Sequence, residues 1–319
     1  AVMSLNLLLV LTVVLVCVRG LVRAQNDDPY FTGAWRTSLD GPDSCWTQST
    51  TECNRAMVIV HGGDWDLTQG IPYDSAPAFA RGWQNGADMV KGDFRVCKEN
   101  VGVIMHSSPI EYYESVECRG KVVDDMTVAQ CEACPMATTN FNFTSVAEQL
   151  SWSKDRINFM FCLKQNEKLP RAISSLLEYD AQHRSIIEVK LPHLVDMYNL
   201  SVRPEGWDSV YYIAELTCPE DATSLLSMPQ ELLDRTFLVE FEHWDSNWPD
   251  PAALTATLNA FKARGARTMA ATKSNSAAAT KANHHAIYDA GFDVVYTYNL
   301  ANAVEVRKSV NAKRGISPP

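Results

Sequence analysis

Short β-type runs alternate with helix-like segments along most of this chain, and no other feature constrains its fold as much. The runs are Met57–Val60, Met89–Val96, Val101–Met105, Ile157–Leu163, Ser185–Leu191, Val210–Leu216, Thr236–Glu242, Arg267–Thr272 and Asp293–Tyr298. Helical stretches such as Ala76–Asn85, Arg171–Tyr179, Ala252–Arg264 and Ala277–Ala290 lie between most of them. Strands interleaved with helices in this way make a parallel sheet with helices outside. One link is too short for that pattern. Only residues 97–100 separate the second and third runs, whereas a parallel crossover needs about a dozen residues. The third run therefore hairpins off the second and leaves eight parallel strands. Eight βα units in about 250 residues are the arithmetic of an α/β fold, the (β/α)8 TIM barrel. An open doubly wound sheet is the alternative.

The N-terminus has a different composition. An apolar run from Leu7 to Val18, broken only by Thr12, is followed by Arg19, Arg23 and Ala24. A spanning helix needs about 20 apolar residues, so residues 1–24 read as a secretory signal peptide, with an uncleaved anchor as the alternative. Residues 25–55 form a polar N-terminal extension, 56–319 the barrel, and 107–150 a Cys-rich loop insertion over one barrel face. With 28 Lys+Arg against 38 Asp+Glu the chain carries a net charge of −10, and loss of the signal would make it more acidic. Nucleic acid is thereby excluded as a partner, because phosphate-backbone binding needs clustered cations.

Cysteine usage agrees with export. Cys17 leaves with the signal, and Cys45, Cys53, Cys97, Cys118, Cys131, Cys134, Cys162 and Cys218 remain. An even number in an exported chain implies disulfides, here up to four, with pairing left open. Cys131 and Cys134 form a C-x-x-C, the pattern of a redox pair or of half a zinc site, but no second such pair or His pair lies close by. The sequons Asn142-Phe-Thr144 and Asn199-Leu-Ser201 are expected to carry glycans. The expectation is a secreted, extracellular glycoprotein with no stable membrane anchor after signal cleavage.

In a barrel of this type the active site lies at the C-terminal ends of the strands. That position singles out His61, directly after Met57–Val60, and His106, directly after Val103–Met105. Lys91 and Asp93 lie two apart on the second run and share a face, and Lys164 closes the fourth. Elsewhere the signals are weaker. His284 and His285 read as solvent-facing, and His243, with Glu240 and Glu242, lies at a strand end. Trp65, Trp83, Trp244 and Trp248 are candidates for a pocket wall or for the core.

These residues resemble a family. Val58–Asp64 (VIVHGGD), Pro72-Tyr-Asp-Ser75, Gly86–Val96 (GADMVKGDFRV) and Val103-Ile-Met-His106 look like the HRG, PENT, GAD--E-D and VMHD motifs of glycerophosphodiester phosphodiesterases. Order and spacing both match. The resemblance is close from Met57 to Cys131 and thinner afterwards, where Gly291–Thr297 is similar to the family's closing strand. It implies a TIM barrel in which two histidines, here His61 and His106, act as general acid and base on a phosphodiester, beside a carboxylate-held divalent cation.

Several positions depart from the family. Lys91 stands where an acid is expected, Tyr73 replaces the PENT glutamate, Gly62 replaces the arginine after the first His, and Tyr298 replaces an aspartate. The acid-x-Lys motif reads Cys162-Leu-Lys164, with Glu188-Val-Lys190 on the next strand as the alternative match. One aspartate beside an ammonium is a poor site for Mg²⁺ or Ca²⁺, which want several oxygen ligands, so no metal or other cofactor is expected. Lys91 can take over part of the cation's electrostatic task, with Asp93 orienting it. Lys164, Tyr73, Trp65, Glu188 and Tyr298 are then the substrate-binding candidates, for a small-molecule phosphodiester or a phospholipid head group. Two further readings stay open: a pseudoenzyme that binds a phosphorylated or glycan ligand, and a barrel recruited to unrelated chemistry such as small-molecule oxidation.

Overall fold

A computed structural model describes residues 39, 44–47, 53–137, 139–153, 157–200, 203–272 and 280–316. The expected signal peptide and most of the N-terminal extension lie outside the described residues. Nine strands form one sheet: β1 Met57–His61, β2 Met89–Val96, β3 Gly102–Ile104, β4 Phe159–Leu163, β5 Ser185–Lys190, β6 Tyr211–Leu216, β7 Leu238–Phe241, β8 Arg267–Ala271 and β9 Val294–Thr297. Their order is β1-β9-β8-β7-β6-β5-β4-β2-β3, and a β1–β2 pairing closes the ring. All pairs are parallel except β2 with β3, the hairpin that the four-residue link requires. Eight parallel strands thus make the closed TIM barrel. Among the described residues no helix is long and apolar enough to cross a membrane.

Alternation along each strand sorts the side chains into two layers. Val58, Val60, Val90, Phe94, Phe159, Phe161, Ile187, Val239 and Phe241 point outward and pack against the helices in the main apolar core. Met57, Ile59, Met89, Met160, Ile186, Ile213, Leu238, Met269 and Val294 fill the barrel interior. Continuing inward-facing positions in steps of two leads out of the apolar layer into a polar one: His61, Lys91 and Asp93, Cys162 and Lys164, Glu188, Glu215, Glu240 and Tyr296. The chemistry therefore sits on top of a dry plug.

The helices follow local rules. Ala76–Gln84 begins at Ser75, whose Oγ accepts from the Ala78 amide at 3.3 Å, with Pro77 in the first turn, where its missing N–H costs nothing. Its buried face of Phe79 and Trp83 covers β1 and β2. Helix Lys281–Asp289 corrects one expectation. His284 is fully buried, with Nε2 2.8 Å from Thr297 Oγ1, because it shares the i, i+3, i+4 face of Ile287 and Tyr288. Trp83 and Trp248 belong to the core, and Trp244 packs against Phe292.

The cysteines form two disulfides, Cys45–Cys53 and Cys118–Cys134, rather than four. Cys97, Cys131, Cys162 and Cys218 are free thiols. Since Cys134 is bonded to Cys118, the C-x-x-C is neither a redox pair nor half of a zinc site. The Cys118–Cys134 bond cross-links the insertion after β3, which carries its own small core of Val123, Met126, Met136 and Phe143 packed on Val103 and Met105. Asn142, on this insertion, and Asn199, at a helix end, are both exposed.

Candidate active site

β1, β2 and β4 bring four of the expected residues to one point. Register sets His61 beside Lys91 and Asp93 beside Cys162, so Cys162-Leu-Lys164 occupies the place of the acid-x-Lys motif and Glu188 lies one strand further on. Asp93 is the hub. Its carboxylate pairs with the Lys91 ammonium, with Lys164 Nζ at 2.9 Å and with the Tyr73 hydroxyl at 2.7 Å. Lys91 Nζ also donates to Tyr73 Oη at 3.0 Å. Lys91 and Asp93 are wholly buried. Burial alone would push the Asp93 carboxyl up, but Lys91 and then Lys164 hold it well below the usual carboxylate range. Burial likewise works against the Lys91 charge, and Asp93 outweighs it and raises the ammonium's pKa.

Two of the departures from the family pattern explain one another. Tyr73 lies against Gly62, where a β-carbon would fall 1.9 Å from its Cε2, so no larger side chain fits beside this ring. Gly62 also adopts φ +64°, a conformation that favours glycine. The Asp74 amide donates to the Gly62 carbonyl at 3.0 Å and ties the two loops together. Asp74 supports the hub from behind, with Oδ2 accepting from the Asp93 amide at 3.2 Å.

The histidines flank this cluster and open into one cavity with Trp65, Tyr73 and Tyr298. His61 stacks on Tyr298 with ring centroids 4.1 Å apart, and its Nε2 lies 3.0 Å from the Tyr298 hydroxyl. Its buried Nδ1 has no partner. Burial pushes His61 well below the ordinary imidazole value, and Lys91 adds to that while Asp93 opposes it. His106 is held from the insertion: Tyr113 Oη lies 2.8 Å and Ser107 Oγ 3.0 Å from its Nδ1, and Glu114 accepts from its backbone amide at 3.0 Å. Burial lowers His106 as well, against Asp93 and with Lys164 and Lys91. Both imidazoles are thus neutral at pH 7, ready to accept a proton.

Trp65 packs edge-on against Tyr73, on the apolar side of this cavity with Met136 and Phe143 of the insertion. Lys164 and Glu188 face the opposite side, a second cavity that shares His61, Lys91 and Tyr298 with the cluster around Asp93. Burial and Glu188 keep the Cys162 thiol protonated, its pKa pushed well up, so it is a poor nucleophile.

Asp93 spends its oxygens on two ammonium groups and a phenol, and Asp74 is the nearest other carboxylate in the hub. Among the described residues no group of three His, Cys, Asp or Glu side chains is disposed to hold a metal ion. The donor set does not fit a carboxylate-held divalent cation.

Residues that sequence reasoning passed over include Asp74, Tyr113 and Glu114, together with Glu215, which joins Glu240 and Glu242 on the far wall. For the wall a signal existed. The two-residue step that links Met89, Lys91 and Asp93 also links Ile213 to Glu215 and Leu238 to Glu240 and Glu242. No comparable period governs the insertion.

No family model matches the sequence, and no curated protein matches it. Solved structures do. The chain is similar to a glycerophosphoryl diester phosphodiesterase of Parabacteroides distasonis at 15% identity and a TM-score of 0.63, covering 81% of this chain and 88% of that one. A phosphodiesterase of Oleispira antarctica in complex with its product sn-glycerol-3-phosphate matches at 16% identity and a TM-score of 0.59, over 82% of this chain and 100% of that one. A glycerophosphodiester phosphodiesterase of Thermotoga maritima gives 16% and 0.56 over 79% of this chain and 98% of that one. With the closed eight-strand ring and the order of motifs along it, these likenesses make the chain a TIM barrel of the glycerophosphodiester phosphodiesterase-like fold.

Proposed function

We propose that this protein is a phosphodiesterase in which lysine charge stands in for the divalent cation. The observation that carries the reading is the pair of ammonium groups, Lys91 and Lys164, pinned on Asp93 between two neutral histidines. Cations fixed in a partly dry site stabilise charge on phosphate oxygens without reorganising. The product complex of the Oleispira antarctica enzyme supports a small phosphate ester as the ligand. The interlocking of Tyr73 with Gly62 supports a rebuilt site rather than a decayed one.

In this mechanism a hydroxyl next to the phosphate on the substrate attacks phosphorus. Its proton passes to His61, the more deeply buried of the two imidazoles. The bond from phosphorus to the leaving alcohol breaks, and that alkoxide takes a proton from His106. His106 is the more exposed histidine, and an anionic phosphate beside it favours the protonated form it needs. Asp93 orients both lysines and releases no proton. Export is part of the reading: the apolar run at residues 7–18, the acidic charge and the two disulfides support it, with glycans at Asn142 and Asn199.

The test is cleavage of a glycerophosphodiester, a lysophospholipid and a phosphoinositide by the oxidised protein, with and without EDTA. Turnover should survive EDTA and fall by about 10²–10⁴ in His61→Ala and His106→Ala. Turnover lost to EDTA would return the chemistry to a metal. A folded protein that binds these compounds without cleaving them would be a pseudoenzyme.

A further inference from the structure

A histidine at a reactive site is often oriented by a carboxylate or a backbone carbonyl on its far ring nitrogen. His106 meets two hydroxyls there instead. Tyr113 Oη lies 2.8 Å and Ser107 Oγ 3.0 Å from its Nδ1, and the two oxygens are 3.2 Å apart. Glu114, the carboxylate of the same turn, is buried and already engaged. One of its oxygens accepts from the His106 and Ser107 amides at 3.0 Å each, and the other from the Glu111 amide at 3.2 Å. Glu114 therefore clamps the backbone and leaves the ring to the hydroxyls. Ser115, two residues after Tyr113, bridges to Ala137 and fixes this segment along the cavity wall.

The partner at Nδ1 decides where a neutral imidazole keeps its proton. A carboxylate can only accept, so it draws the proton to Nδ1 and leaves a lone pair on Nε2, the arrangement of a base. A phenol can donate. Burial pushes the Tyr113 phenol up to about 12, with its Ser107 bond opposing, so it keeps its hydrogen at neutral pH. An unprotonated ring nitrogen is a stronger acceptor than a hydroxyl oxygen. The shortest of the three contacts thus joins the best donor to the best acceptor, and Ser107 turns its own hydrogen to Tyr113 Oη. We infer that Tyr113 is a positioning residue that donates to Nδ1 of His106 and so holds the imidazole proton on Nε2, the ring nitrogen left for a ligand in the cavity.

The consequence for catalysis rests on the phosphodiesterase reading. An Nε2 that carries a proton has no lone pair for the attacking hydroxyl, which leaves the base role to His61 and gives His106 that of acid. The second proton of the imidazolium enters at Nδ1 from water through Tyr113, which is 48% exposed, and the hydroxyl oxygens then accept from Nδ1–H. As the bond from phosphorus to the leaving oxygen breaks, the Nε2 proton passes to that alkoxide. His106 is left neutral with its proton on Nδ1, and exchange with water at both nitrogens restores the first tautomer.

Nitrogen NMR on the isotope-labelled full protein reads the tautomer directly at a pH where the imidazole is neutral, with His106→Gln assigning the two ring signals by their loss. The unmodified protein should show a protonated Nε2 and an unprotonated Nδ1. In Tyr113→Phe the two signals should move toward one another as both tautomers become populated. A proton on Nδ1 in the unmodified protein, a measurement that needs no functional variant, overturns the inference. Turnover gives a second readout. Tyr113→Phe should slow a phosphodiester with an alkyl leaving alcohol by about tenfold, the scale of one hydrogen bond. Its p-nitrophenyl counterpart should be nearly unaffected, because nitrophenolate departs without a proton. Equal slowing of both would make Tyr113 merely structural and overturn the assignment. A protonated Nε2 in a protein that cleaves no phosphodiester would keep Tyr113 at its task and remove the hydrolase. Cleavage that needs both histidines, with the proton on Nδ1, would do the reverse.

Discussion

Two buried aspartates at opposite ends of the same strand are each held by two cations, and they do opposite things. Asp88, just before β2, is gripped by Arg55 and by Arg307, the latter at 2.6 Å. Its Oδ2 also accepts from the Val58 amide at 2.8 Å, while Arg307 donates to the Gly86 carbonyl at 2.8 Å. Everything there is buried and faces protein. Asp93, toward the other end of β2, is gripped by lysines, and both of those lysines line a cavity. Arginine's planar fork fixes geometry, whereas lysine is a compact charge on a flexible stem that can turn toward a ligand. The lower cluster ties helix Leu300–Lys313 to the closing seam of the barrel. The upper one sets two lysines along a cavity.

Removing each aspartate is the strongest way to break this comparison. Asp88→Ala removes the buried carboxylate that Arg55 and Arg307 share, so it should cost about 3–5 kcal/mol, read as a fall in the urea midpoint. Asp93→Ala leaves its lysines beside a cavity that water can enter. Its midpoint should fall less, while phosphodiester turnover disappears. Equal losses of stability at both sites would mean that the upper cluster is structural too.

The cations separate the two ends further. Lys91→Met should lower kcat by about 10²–10³, the scale for losing one preorganised charge donor, with the melting temperature little changed. Arg307→Met should do the opposite, lowering the melting temperature while the folded fraction keeps its kcat. A Lys91→Met protein that retained full turnover would remove the lysine from the chemistry and leave Lys164 as the phosphate partner.

Much of this architecture was legible in the sequence. All nine strands fall where the apolar runs stand, because period-two burial in a closed barrel leaves little freedom in register. The antiparallel β3 followed from loop length alone. His61, Lys91, Asp93 and Lys164 converge because strand direction and side-chain alternation place them without any knowledge of loops. The rest was hidden for identifiable reasons. Tyr113 and Glu114 reach His106 because the first residues of the insertion turn back on the strand end, and no periodic pattern marks that turn. The His284-His285 pair looked polar and therefore outward, although Ile287 and Tyr288 on the same helical face mark His284 as inward. Gly62 and Tyr73 stand eleven positions apart, and only packing shows that the Tyr73 ring leaves no room for a side chain at position 62.

The smallest expected effect discriminates most finely between the upper lysines. Burial and nearby ammonium charge hold both imidazoles below their ordinary value of about 6.5, so each is neutral at pH 7 and becomes protonated only as pH falls further. The acid limb of kcat/KM, which reports the free enzyme's essential base, should therefore lie below about pH 6.5. Removing an ammonium relieves that pressure and must move the limb upward. For His61 the larger pressure comes from Lys91 and the smaller from Lys164, whereas for His106 the order is reversed. Residual activity in Lys91→Met should accordingly show a greater upward shift of the limb than in Lys164→Met if His61 is the base. The opposite ranking would give that role to His106 and make His61 the acid. A limb that moved in neither variant would mean that the titrating group lies outside the reach of both lysines, beyond the cluster around Asp93.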